Sequence, residues 1–170
     1  MTDNNLSYDE SGSGRMLVDG NTAMNECIER MFLACRSNIQ VRARRLDYDF
    51  YFSQAFTECC QSIVSRSMRN ELMFLVEDEQ FVIKANVRLV ALARQFSSYV
   101  KVRVIPEALI KHQEMFIVSD STGYLHQPGI DTPRGFMNPS DPGKARRFGR
   151  QFKDLWDRSE QPAELFATGL

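Results

Sequence analysis

The sequence predicts an α/β domain with a mixed, largely parallel sheet flanked by helices. Three observations carry that expectation. Apolar residues recur at three- and four-residue steps in four segments, the period of helices that bury one face. Short β-rich runs at residues 39–43, 71–76 and 99–105 alternate with the first three of these segments. Helix and strand in alternation build parallel neighbours through crossovers, and a hairpin expected near residue 121 adds an antiparallel edge.

Residues 1–20 are rich in Asn, Asp, Ser and Gly, so a mobile tail is expected there, with one folded domain over 21–170. The first helix is expected from Asn21 or Thr22, either of which could cap it, to about Arg36. Its stripe is Met24, Cys27, Ile28, Met31, Phe32 and Cys35. Residues 39–43 alternate apolar and polar, as a strand does. A second helix follows on Phe52, Ala55, Phe56, Cys59, Cys60 and Ile63. Residues 71–76 are almost unbroken in apolar character, as expected of a central strand covered on both faces. A third helix is expected over 81–96, begun by Asp78 or Glu79. Residues 99–105 alternate and stop at Pro106. Two hairpin arms, 114–118 and 124–126, flank a turn at Ser121, Thr122 and Gly123. Residues 127–143 hold four of the six prolines and are expected to form a long loop. The last helix, 144–159, buries Phe148, Phe152, Leu155 and Trp156. Ser140 or Asp141 begins it, and Pro142 fits its first turn.

The totals exclude several classes. At 170 residues, with 43% hydrophobic and 25% charged residues, the chain can bury one substantial core. A net charge of −1 supplies no global field, so neither nucleic acid nor an anionic membrane is an expected partner. No apolar run approaches the ~20 residues of a membrane span. No basic segment leads into an apolar run at the polar N-terminus, so the cytoplasm is the expected location. Cys27, Cys35, Cys59 and Cys60 lack CxxC spacing and fall on two helices, as buried free thiols would. No cofactor is expected.

The chemistry concentrates in Lys111 to Asp120. The run has the outline of a phosphodiesterase motif, His-x-Lys followed by four residues and Asp. His112 is present, but Glu114 stands where the Lys would be and Ser119 where the Asp would be; Asp120 comes one place late. A Lys attracts phosphate, whereas a carboxylate repels it.

The element order, the His112 segment and the aromatic last helix resemble one half of the phospholipase D superfamily, over about residues 24–159. The resemblance is to an uncharacterised bacterial branch that lacks the catalytic motif. It implies a strand running into the His112 loop, a hairpin, a loop bearing Asn138, and a last helix with Phe152 and Trp156 in a Phe-x-x-x-Trp-like pattern. It also implies a reaction in which one His attacks phosphorus and a second protonates the leaving oxygen, while Lys and Asn hold the phosphoryl oxygens. One motif per chain would require a homodimer with His112 from each subunit. Two carboxylates in place of two lysines oppose that reaction, since electrostatic stabilisation usually dominates such catalysis. The reading is therefore a non-catalytic phospholipase D-like domain that binds a ligand or a protein. The alternative is a dimeric phosphodiesterase or nuclease. The site residues expected are His112, Asn138, Arg134, Arg45 and Asp120, with a phosphate-bearing ligand, a protein or a second copy as partner.

Other residues carry weaker signals. Arg42, Arg44 and Arg45 end the first strand, where ligands of open α/β sheets bind, but the preferred reading is a solvated turn paired with Asp47 and Asp49. Glu77, Asp78 and Glu79 read as a solvated loop, or as oxygen ligands for a cation. His126 could pair with His112. In the aromatic run Phe50 and Phe52 are expected to complete the core, the alternative being that the run, with Tyr48 and Tyr51, faces a partner. Lys144, Arg146, Arg147 and Arg150 open the last helix, at the end whose dipole disfavours cations.

Overall fold

The structure, a computed structural model, describes residues 6–8 and 14–167. Its strands are β1 (Leu6–Tyr8), β2 (Met16–Asp19), β3 (Asn38–Ala43), β4 (Glu71–Val76), β5 (Val100–Val104), β6 (Met115–Ser119), β7 (Gly123–Gln127) and β8 (Arg134–Asn138). The helices are α1 (Asn21–Ala34), α2 (Gln54–Arg66), α3 (Glu79–Ala85), α4 (Val87–Gln95) and α5 (Pro142–Asp157). The strands form one sheet in the order β1-β2-β8-β7-β6-β3-β4-β5. Apolar side chains from α1, α2 and α4 pack on one face, and α5 covers the other over Leu75, Phe116, Val118 and Tyr124.

The mixed sheet flanked by helices is as expected, but its balance is not. Of the seven neighbouring strand pairs among the described residues only β3–β4 and β4–β5 are parallel. The other five are antiparallel. Only two helical crossovers join neighbouring strands, and the hairpin grows outward through β8 and β2 instead of ending the sheet. At the far edge, β5 is closed by a short bridge: Val104 N–H donates to the Glu160 carbonyl at 2.7 Å, and Glu160 N–H donates back at 3.2 Å.

Three expectations change. The tail expected through residue 20 gives way to β2, where Met16 and Val18 are buried and pair in register with Met137 and Gly135. Residues 1–5 and 9–13 lie outside the described residues. The expected third helix breaks at Asn86, whose buried amide donates to the Leu46 carbonyl at 2.8 Å. The break gives α3 and α4. The expected loop over 127–143 contains β8. Gly135 is needed there, because a Cβ on it would collide with the His126 carbonyl across the β7–β8 pair.

Caps fix where the helices start. Asp141 accepts from Lys144 N–H at 3.0 Å with Pro142 next to it, Asp78 accepts from Phe81 N–H at 3.0 Å, and Ser53 accepts from Phe56 N–H at 3.2 Å. Neither Asn21 nor Thr22 caps α1. Gly20 precedes it at φ 97°, a conformation that favours glycine. The four cysteines are free and buried, and burial pushes the Cys35 thiol up to about 12. In the aromatic run Phe50 completes the core as expected, but its companion there is Tyr51, because the short 3-10 turn swings Phe52 outward, where it is exposed; Tyr48 is half-buried.

Candidate functional site

Register lines up Leu75, Arg42, Phe116, His126 and Phe136 in one row across five strands. Leu75 and Phe116 pack against α5, so the row faces that helix. Arg42 thus puts a guanidinium beneath α5, where it is only 2% exposed. A charge that deep must be paired. One Nη lies 3.2 Å from Glu114 Oε1 and the other 3.7 Å from Glu77 Oε1, and the latter donates to the His112 carbonyl at 2.8 Å.

Glu114, the residue in the Lys place, completes the network. Its Oε2 lies 2.7 Å from His126 Nε2, and its Oε1 accepts from the Gln151 amide at 2.7 Å. The His126 ring rests 4.8 Å from that of Phe148. The bond to His126 does most to hold the Glu114 carboxyl below its ordinary range, aided by Gln151 and Arg42 and opposed by burial. Burial pushes the Glu77 carboxyl up, and Arg42 opposes that shift. Glu77 therefore belongs to a buried ion cluster, not to a solvated loop. Arg42 and His126 carry only weak signals in the sequence, with other partners expected, and Gln151 carries none. The available signal was a charged residue in a strand buried between two helix layers.

His112 sits above this network. Its carbonyl is held by Arg42, while its imidazole is exposed and has no hydrogen-bond partner among the described residues. On the α1 side of the same sheet end lies a cleft of about 350 Å³ lined by Asn21, Arg44, Arg45, Asp47, Tyr48 and Gln127. Tyr48 donates to Gln127 Oε1 at 2.8 Å. Arg45 is paired with Asp78 at 2.7 Å and lies over the Phe81 ring. Asp47 and Asp49 are not its partners. The Arg44 carbonyl accepts from the N–H groups of Glu77 and Asp78 at 3.2 and 3.0 Å, while its side chain makes no hydrogen bond or contact ion pair among the described residues and acts on those two carboxylates only through its field. Among those residues, no group of three or more His, Cys, Asp or Glu is placed to hold a metal ion.

The structure divides the expected site. His112, Arg45 and Arg134 lie at the end where β3 finishes, and Arg134 is paired with Asp19 at 2.8 Å. Asp120 and Asn138 lie at the opposite end of the sheet. Asp120 accepts from the backbone N–H groups of Arg36, Ser37 and Asn38 and from the Ser37 hydroxyl, at 2.8 to 3.0 Å. Burial pushes its carboxyl up, but these four bonds outweigh it and hold the group below its ordinary value. Buried Asn138 accepts from Ser140 N–H at 3.0 Å. His112 cannot reach Asp120, and His126 turns to Glu114 instead of His112.

Residues 20–167 match the family described as Domain of unknown function (DUF7931). The chain belongs to this family. No curated protein matches the DUF7931 chain by sequence. Solved structures do resemble it. TrmBL2, an archaeal chromatin protein described as showing a novel mode of DNA binding, superimposes at a TM-score of 0.65 and 11% identity. The match covers 90% of this chain but 56% of TrmBL2, so this chain spans little more than half of that relative. Nuc from Salmonella typhimurium, a phospholipase D family member, gives 0.56 at 10% identity, covering 86% of this chain and 96% of Nuc. NucT from Helicobacter pylori gives 0.58 at 6% identity, covering 86% and 98%. At these identities the likeness concerns the fold, and the fold of this DUF7931 domain is phospholipase D-like.

Proposed function

We propose that this DUF7931 domain is a non-catalytic phospholipase D-like module that binds a phosphate-bearing ligand or a partner at the end of its sheet where β3 and β4 finish. The supporting observation is the fate of Glu114. The residue in the Lys place is a carboxylate, and the nearby cation, Arg42, is occupied by Glu114 and Glu77. A transferring phosphoryl group would meet negative charge where stabilisation is needed. Loss of one such stabilising contact costs about 3 kcal/mol of barrier. The cleft on the other face is better suited to binding, because the Arg44 side chain stands on its wall with no hydrogen bond or contact ion pair among the described residues, Glu77 and Asp78 feeling only its field.

The test is incubation of purified protein with an activated phosphodiester and with single-stranded DNA, beside His112→Ala. The expected outcome is no turnover by either protein. Turnover that disappears in His112→Ala would sink the proposal. A panel of phosphate-bearing metabolites screened by thermal shift, with Arg44→Ala as control, then locates the ligand.

One observation favours a second reading, a dimeric phosphodiesterase. The His112 imidazole is exposed and uncommitted among the described residues, as a residue shared between subunits would be. That reading requires a dimer with both His112 rings at one phosphorus. A monomer by light scattering at working concentration ends it.

A further inference from the structure

The charges of α5 run against the helix dipole. Its first nine residues hold Lys144, Arg146, Arg147 and Arg150 and no carboxylate, while Asp154 and Asp157 stand in its last turns. Cations at a helix start and acids at its end both destabilise it. Arg150 also repels Arg146 and Arg147 from four and three residues away. The other charges in the helix have partners. Lys153 pairs with Asp157, Arg158 pairs with Asp154, and Lys144 lies over the Tyr124 ring. The side chains of Arg146, Arg147 and Arg150 are exposed and make no hydrogen bond or ion pair among the described residues. The fold makes no use of them. Gln151, one turn beyond Arg147, is bonded to Glu114, so this flank of α5 borders the segment that carries exposed Lys111 and His112.

We infer that Arg146, Arg147 and Arg150 form a docking face for a short acidic segment of a partner protein. The three guanidinium groups span about 6 Å of helix rise, enough for two or three carboxylates held in fork geometry. The face is short: beyond it Lys153 is paired with Asp157 and Arg158 with Asp154, and before it the Asp141 carboxylate caps the helix, so no further net positive charge extends it along α5. A nucleic-acid backbone, charged at every nucleotide, would run from the arginines onto this neutral stretch within about one Debye length and gain little beyond three contacts. A short acidic run ends where the arginines end. The aromatic side chains of α5, Phe148, Phe152 and Trp156, are all buried, which leaves no ring on this face for a base to stack on. Without an apolar anchor, binding is steered by charge and weakens with salt. This face is separate from the cleft of the proposed function and is tested independently of it.

The experiment uses the full chain with fluorescein-labelled hexaglutamate, read by anisotropy at low and physiological salt. A labelled oligothymidylate of equal charge runs beside it. The variant Arg146→Glu/Arg147→Glu/Arg150→Glu should weaken hexaglutamate binding by at least about tenfold. The control Arg30→Glu/Lys84→Glu, on the opposite face, should change it by less than about twofold. The variant's Tm should equal or exceed the parent's, because acids now stand in the first half of the helix. Equal hexaglutamate affinity in parent and triple variant would overturn the inference. So would tighter binding of the oligothymidylate, which would make the face a nucleic-acid surface. A fall in Tm, repeated in the milder Arg→Gln triple variant, would assign the arginines to the fold and overturn it as well.

Discussion

Arg42 faces two carboxylates, Glu77 and Glu114, from a site that water hardly reaches. Removing one member of a buried ion cluster leaves the others unpaired, which typically costs about 3–5 kcal/mol. Arg42→Met should lose that much by urea unfolding at pH 7, and adding Glu114→Gln should restore part of it. An additive double variant would show that the two residues are not coupled. Restoring the motif by Glu114→Lys should destabilise the protein further than Glu114→Gln, because a second cation would face Arg42. Asp120 gives a pH-dependent case. Its folded carboxyl lies below the ordinary value of 3.8, so its contribution is complete above that value and is lost as pH falls through the lower folded one. Asp120→Asn should therefore cost about 2 kcal/mol at neutral pH. The gap between parent and variant should shrink only below pH 3.8. A gap that closes already near neutral pH would place the effect on another group.

At the scale of elements, strong periods were legible and short or interrupted ones were not. The strands at 71–76 and 99–105 and the last helix follow from runs long enough to show one period. β2 has four residues and β8 five, and Pro, Gly and Asn crowd around β8, so loop chemistry hid a strand. The break at Asn86 left no trace in the apolar stripe, because the stripe resumes on the same side after it. Its cause is the Leu46 carbonyl, forty residues away. Gly135 offers the sharpest test of an element. Gly135→Ala should push β8 off β7 and cost at least about 2 kcal/mol, read as a lower Tm. An unchanged Tm would mean that the strands can separate without loss.

Across the whole molecule, the fold was more legible than the site. Fold class rests on many residues repeating one pattern, and it tolerates the changes at Glu114 and Ser119. The site depends on contacts between β3, β4, β7 and α5, which no local spacing records. Arg42, Glu77 and His126 lie far apart in sequence and meet only because register brings their strands side by side. Sequence proximity suggested Asp120 as a companion for His112, but one strand length separates them.

The bridge at Glu160 governs how the sheet meets other chains. An outermost strand offers its unpaired amides as a template for a foreign strand, a common start of aggregation. Along β5 the N–H groups of Val102 and Val104 both point outward, away from β4, and the second is already taken by Glu160. A neighbouring chain would find only a short stretch to pair with before the protein's own backbone blocks its path. Hydrogen exchange should report this as two different amides on one strand, with Val104 slow and Val102 fast. Equal rates would mean that the edge is open along its whole length.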